Sequence, residues 1–179
     1  MNGGTVNISN CGSDCIDSDD YGNVKIKGGN LTLNVSQKEG SGIKCDSLFT
    51  MSGGNVSLAV SGIISEGIRT VYKGTFSGGK ITGTVSANGS RGIRGKKTTK
   101  TTDTTLNGGF LDFTGTDVSL VVSGGTNTAD QSKCFGIKAD QTLNQTAGDI
   151  SITVSNSAAT DIKAGTDNWT GGTRNGVTK

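Results

Sequence analysis

Between residues 26 and 93, apolar and polar residues recur in one fixed order every 25 residues. Three successive units open on Ile26-Lys27-Gly28-Gly29, Met51-Ser52-Gly53-Gly54 and Phe76-Ser77-Gly78-Gly79. Each continues through an alternating run: Leu31-Thr32-Leu33-Asn34-Val35, Val56-Ser57-Leu58-Ala59-Val60 and Ile81-Thr82-Gly83-Thr84-Val85. Each closes on Gly42-Ile43-Lys44, Gly67-Ile68-Arg69 or Gly92-Ile93-Arg94. Apolar residues at every second position, many of them β-branched, predict strands, and no helical period is present. Each unit therefore offers three short strands: one ending on the opening apolar residue, one alternating, and one centred on the Gly-Ile pair. A strict period of this length predicts a solenoid. The expected fold is all-β, a right-handed parallel β-helix of about six coils, its hand following from known solenoids and the crossover preference.

Stacking at roughly 4.8 Å per coil turns equivalent positions into inward columns. One column is Leu31, Val56, Ile81, Val118 and Ile150, and another is Ile43, Ile68, Ile93, Ile137 and Ile162. Val24, Phe49 and Leu143 are further inward candidates, and Gly74 and Gly83 read as size compensation in a narrow core. The first unit keeps the pattern with Gly3-Gly4, Val6, Ile8 and Ile16. Met1 takes the place that Ile26 holds one unit later, which predicts that the chain begins inside a coil. After Arg94 the register breaks at a basic segment, residues 96–102. The fifth unit is expected to restart at Leu106-Asn107-Gly108-Gly109, with insertions at 110–116 and within 124–134. The solenoid is expected over 1–164, and residues 165–179, where Gly171-Gly172 falls out of step, form either a capping segment or a truncated further coil.

Composition refines this picture. Of 179 residues, 31% are hydrophobic and 4% aromatic, with 30 glycines and no proline. So few apolar residues suit disorder or a thin core, and the periodicity selects the thin core of a solenoid. A net charge of +2 is too mild to argue for nucleic acid. No apolar run is long enough for a membrane-spanning helix, and the opening residues do not read as a secretory leader. The four cysteines, Cys11, Cys15, Cys45 and Cys134, lack paired metal-site spacing. Cys45 is expected to point inward, and a local Cys11–Cys15 bridge is open to the chain.

The residue after each inward isoleucine faces outward, and in five units it is a cation: Lys44, Arg69, Arg94, Lys138 and Lys163. Adjacent like charges roughly 4.8 Å apart repel by about 1 kcal/mol in water. An extended acidic polysaccharide would match such a row, and Asp46 and Asp140, two positions on, are the alternative counter-charges. The first unit places Asp17 at this position, inside a cluster with Asp14, Asp19 and Asp20 that offers oxygen ligands of the kind Ca²⁺ takes. A second outward row, Asn7, Thr32, Ser57, Thr82, Ser119 and Ser151, is polar but flanked by mixed residues, as solvated strands are. Tyr21, Tyr72 and Trp169 form no aromatic strip for neutral sugars. With no histidine in the chain, histidine-based triads are excluded, and Asp19-Asp20 face opposite ways if extended.

The recurring apolar-x-Gly-Gly opening, alternating strand and Gly-Ile-Lys/Arg closing resemble bacterial carbohydrate-binding domain proteins of the pectate-lyase-like, right-handed parallel β-helix type. The run Asp14-Cys15-Ile16-Asp17-Ser18-Asp19 resembles that family's Asp-Gly-Ile/Leu-Asp-Ser-Asp/Asn motif, with Cys15 in place of glycine. The resemblance extends to about Ala164 and implies an exported protein (extracellular, cell-surface or periplasmic), Ca²⁺ sites at Asp14, Asp17 and Asp19, and polysaccharide binding without cleavage. The expected function is non-catalytic binding of an acidic, uronate-containing glycan. The alternatives are an adhesive solenoid whose loops (96–102 and 124–133) meet a protein partner, and a Ca²⁺-dependent polysaccharide lyase. Open coil ends also invite end-to-end self-association.

Overall fold

The computed structural model describes residues 1–19, 22–98 and 108–179. Among them are sixteen strands and no helix: β1 (Thr5–Ile8), β2 (Ile16–Ser18), β3 (Val24–Ile26), β4 (Asn30–Val35), β5 (Ser41–Cys45), β6 (Leu48–Val60), β7 (Glu66–Thr70), β8 (Lys73–Val85), β9 (Arg91–Gly95), β10 (Phe110–Thr114), β11 (Asp117–Val122), β12 (Phe135–Ala147), β13 (Asp149–Val154), β14 (Thr160–Trp169), β15 (Thr173–Arg174) and β16 (Val177–Thr178). All of the strand pairs are parallel except β15 with β16. Partners lie one sequence repeat apart, which is the stacking a β-solenoid requires. No helix among the described residues is long and apolar enough to cross a membrane.

Three strand columns follow from the three strands of each unit. The alternating column runs β1, β4, the second half of β6, the second half of β8, β11, β13 and β15. The closing column runs β2, β5, β7, β9 and the first halves of β12 and β14. The opening column runs β3, the first halves of β6 and β8, β10, and the second halves of β12 and β14. Within them Leu31, Val56, Ile81, Val118 and Ile150 are direct register partners, as are Ile43, Ile68, Ile93, Ile137 and Ile162. Nearly all of these are buried, Ile162 being half-buried beside the last coil. Cys45 is fully buried in line with them.

The Gly-Ile closing has a steric cause. A Cβ on Gly67 would stand 2.4 Å from the carbonyl oxygen of Gly92 in the next coil and 2.8 Å from Leu58 Cδ1. Gly42, Gly92 and Gly136 meet the same obstruction. The second glycine of the opening pair has a different one: Gly54 takes φ +84°, and its Cβ would meet the Gly29 carbonyl oxygen at 2.8 Å. At Gly74 the missing side chain makes room for the Phe76 ring, which lies 5.2 Å from Phe49 and stacks at 4.5 Å on Phe113. Such ring pairs contribute about 0.5–1.5 kcal/mol beyond their area.

Two expectations are corrected. The fifth unit does not open at residues 106–109. Phe110–Phe113 pairs with Lys73–Phe76, so Phe113 takes the opening position and residues 110–116 are the strand and corner, not an insertion. Leu106 itself lies outside the described residues, as does part of the basic segment 96–102. Nor is Gly171-Gly172 out of step. Thr166–Trp169 pairs with Thr142–Gln145, and Gly172 repeats the φ of Gly148, +83° against +84°. The tail thus starts a further coil and then caps it, because β16 folds back antiparallel on β15. The second insertion falls where expected, at the corner between β11 and β12, held by Asn127 N–H donating to Ser132 O and by Asp130 accepting from Ser132.

The two ends of the core differ. At the last coil, fully buried Gln145 follows Phe113 in the opening column. Its Nε2 donates to the carbonyls of Gly148 (2.9 Å) and Thr173 (3.2 Å), and its Oε1 accepts from Arg174 Nε at 2.6 Å. Arg174 also donates from both Nη atoms to Asp167 and lies over the Trp169 ring. The apolar core therefore ends in a polar plug. At the first coil it ends in a concavity of about 410 Å³ lined by Met1, Val6, Ile16, Val24, Ile26 and Leu31, among others.

Candidate anion-binding face

The closing column carries the outward cations. Its parallel register sets Asp17, Lys44, Arg69, Arg94, Lys138 and Lys163 side by side. All five predicted cations therefore share one row on one face. Their surroundings, however, divide them into two groups.

Lys44 belongs to the first coil's carboxylates. Its Nζ donates to Asp19 and to Asp17 (3.1 Å) and stands 4.0 Å from Asp14. Asp14 also accepts from the Ser41 N–H at 2.7 Å, fixing the corner that the Cys11–Cys15 disulfide closes. The hydrogen bond from Lys44 holds the Asp19 carboxyl below its usual range, and the same bond raises the lysine ammonium. The carboxylates that the family resemblance assigns to calcium thus surround an ammonium already. A calcium ion would enter only by displacing Lys44. Asp20 lies outside the described residues.

The second group lies along β7, β9 and β12. Glu66, only 5% exposed, accepts from Arg94 Nη1 at 2.7 Å and has Arg69 at 3.8 Å and Arg91 at 3.9 Å. Asp140 accepts from Arg94 Nη2 at 3.1 Å and stands 3.2 Å from Lys138 Nζ. Burial alone would raise the Asp140 carboxyl, but Arg94 and Lys138 outweigh it and hold the group below its ordinary range. Burial, then the fields of Arg69 and Arg94, push the Lys96 ammonium down. Burial and Arg94 likewise lower Arg91. Six cations (Arg69, Arg91, Arg94, Lys96, Lys138 and Lys163) therefore share this face with two contacting carboxylates, Glu66 and Asp140. The Nε–H groups of Arg69, Arg91 and Arg94 are buried and find no acceptor among the described residues. A buried donor without an acceptor costs about 1–3 kcal/mol, more when charged.

The row and Asp140 are readable from the repeat. Lys96, expected in the looped-out basic segment, instead continues the closing column, its N–H donating to Thr70 O; Glu66 and Arg91 lie outside the predicted row, though a signal for them existed. Glu66 and Arg91 are 25 residues apart, so an acid and a base fall directly opposite each other on neighbouring coils. The outward Ser/Thr row also stacks in register, Thr32, Ser57, Thr82, Ser119 and Ser151. No family model, no curated protein and no solved structure matches this chain.

Proposed function

We propose that this chain is a non-catalytic binding module for an acidic, uronate-containing polysaccharide at a bacterial surface or in the periplasm, built as a right-handed parallel β-helix. The observation that carries the reading is the excess of cations over carboxylates along one face, in strand register from Arg69 to Lys163. Carboxylates spaced along an extended glycan would supply acceptors to guanidinium groups, which bind them bidentately. Lys44, held by its own aspartates, would lie at the edge of this track. The preference of parallel crossovers supports the right-handed path. The resemblance of the repeat to carbohydrate-binding β-helices supports the ligand class, and the Cys11–Cys15 bridge supports an oxidising compartment.

The test is titration with polygalacturonate at low and high salt, for the wild type and for an Arg69→Ser/Arg94→Ser variant. Binding that weakens with salt, disappears in the variant and releases no unsaturated sugar supports the proposal. Unsaturated products would identify a lyase. Unaltered affinity in the variant overturns the basic face as the site. Calcium belongs to this reading only with Lys44 swung aside, so added calcium should leave the melting temperature unchanged while the ammonium holds its place.

A further inference from the structure

We propose that Lys96 is a covalent capture site for a small anionic aldehyde, the Arg69 guanidinium holding the anion while the lysine amine forms an imine with the carbonyl carbon. The site lies on the basic face but does not require a glycan to bind there. Strand β9 ends at Gly95, and the Lys96 N–H extends its ladder by one bond, to Thr70 O. Strand alternation points Lys96 the same way as Arg94, two residues earlier. Arg94 in turn stands opposite Arg69 on the neighbouring coil. Lys96 is half-buried there, and the charges around it are Arg69 and Glu66 from β7, Arg94 from β9 and Asp140 from β12.

Both carboxylates are already engaged by other donors. Glu66 has Arg94 at 2.7 Å on Oε1 and Arg69 at 3.8 Å on Oε2. Asp140 Oδ2 accepts from Arg94 (3.1 Å) and from the Lys97 N–H (3.2 Å), and Lys138 Nζ stands 3.2 Å from Oδ1. The Lys96 ammonium therefore makes no hydrogen bond or ion pair among the described residues. Arg69 is placed likewise: beyond its approach to Glu66, the guanidinium finds no acceptor among them, and its Nε–H is buried. A free guanidinium thus lies one coil below a free ammonium. Burial, then the fields of Arg69 and Arg94, favour the neutral amine, which is the nucleophilic form of a lysine. Arg69 offers the paired N–H donors that a carboxylate or phosphate takes. In the capture step the ammonium first gives a proton to solvent. The Nζ lone pair then forms the C–N bond and the carbonyl oxygen takes up a proton. The carbinolamine loses its hydroxyl and the remaining N–H as water, which leaves the imine with no oxidant or reductant consumed.

Reductive trapping tests this. The protein is treated with glyoxylate, or with neutral propionaldehyde, in the presence of cyanoborohydride, and fragment-ion spectra assign the rate at each lysine. Exposed Lys25, Lys27 and Lys97 serve as references. The ratio of the glyoxylate rate to the propionaldehyde rate should be about tenfold higher at Lys96 than at the references, the factor that one charge-assisted hydrogen bond supplies. Arg69→Gln should return the Lys96 ratio to that of the references. Inorganic sulfate at constant ionic strength should lower it in the wild type. A Lys96 ratio equal to the references would overturn the proposal, and so would a ratio indifferent to Arg69→Gln. If that variant does not fold, the sulfate competition decides, and a wild-type ratio unmoved by sulfate rejects Arg69 as the anion holder. Polygalacturonate titration keeps the two readings apart. Glycan binding without selective Lys96 labelling removes only the capture site, and selective labelling without glycan binding removes only the glycan.

Discussion

Glu66 is the residue at which stability and proposed binding pull in opposite directions. Glu66→Gln keeps the side-chain volume and removes one of two carboxylates that face six cations. Removing one partner from a buried ion pair costs about 3–5 kcal/mol. The guanidiniums here retain Asp140 and some solvent, so the low end applies, about 3 kcal/mol. For a chain of this length that is a fall in melting temperature of roughly 6–12 °C. The lost negative charge also ceases to repel a bound glycan. At a separation of about 8 Å and an effective dielectric of about 20 the repulsion is about 2 kcal/mol. Screening over one Debye length leaves about 0.8 kcal/mol, an affinity gain of about fourfold. The assay is a thermal melt with and without polygalacturonate, paired with isothermal titration. A variant that melts lower yet binds more tightly, and is rescued by saturating glycan, fits the structure. A variant that melts lower and binds no better would refute the basic face as the binding surface. One with an unchanged melt would refute the ion network itself.

Gly67→Ala places a methyl 2.4 Å from the Gly92 oxygen and should cost about 3 kcal/mol, whereas Gly3→Ala, with nothing within 4 Å, should be silent in denaturant titration. Equal midpoints for the two would mean that the coils are not stacked in this register. Gln145→Leu leaves two carbonyls and the Arg174 Nε without their partner, each worth about 1–3 kcal/mol if it stays buried, so hydrogen exchange at Thr173–Thr178 should speed up. Exchange as slow as in the wild type would show that the plug does not hold the cap. Asp19 and Asp140 have carboxyls lowered by folding, so the unfolded chain takes up protons first as pH falls. Their stabilisation is complete above the unfolded value of about 3.9 and is lost as pH drops through the lower folded values. Asp140→Asn should flatten the acid limb of melting temperature against pH, and an unchanged limb would remove Asp140 from the network.

Most of the fold was legible because a solenoid makes register a local property. Once one unit is aligned on the next, every inward position follows, and Ile43 or Val56 needs no distant information to be placed. The fifth unit escaped because Gly108-Gly109 imitates an opening pair. What decides the register is the paired burial of Leu111 and Phe113 over Gly74 and Phe76, which the glycines do not reveal. At the tail the repeat shortens, Asn144 and Asn168 being 24 residues apart, and a rigid period therefore misplaced Gly171-Gly172.

By itself the sequence determined the strands, their inward columns and the alignment of Lys44, Arg69, Arg94, Lys138 and Lys163 on one face, because strand alternation and a constant repeat leave no other place for them. Only the tertiary structure decided how those charges divide: Lys44 among the first-coil aspartates, Arg94 shared between Glu66 and Asp140, and a surplus left toward Lys163. The backbone period sets where each side chain starts. Where a long cationic side chain ends depends on which carboxylates neighbouring coils bring within a few ångströms, and that is a property of the assembled stack. The same holds for the polar cluster of Gln145, Arg174 and Asp167, which residues from three different strands form only once the coils are stacked.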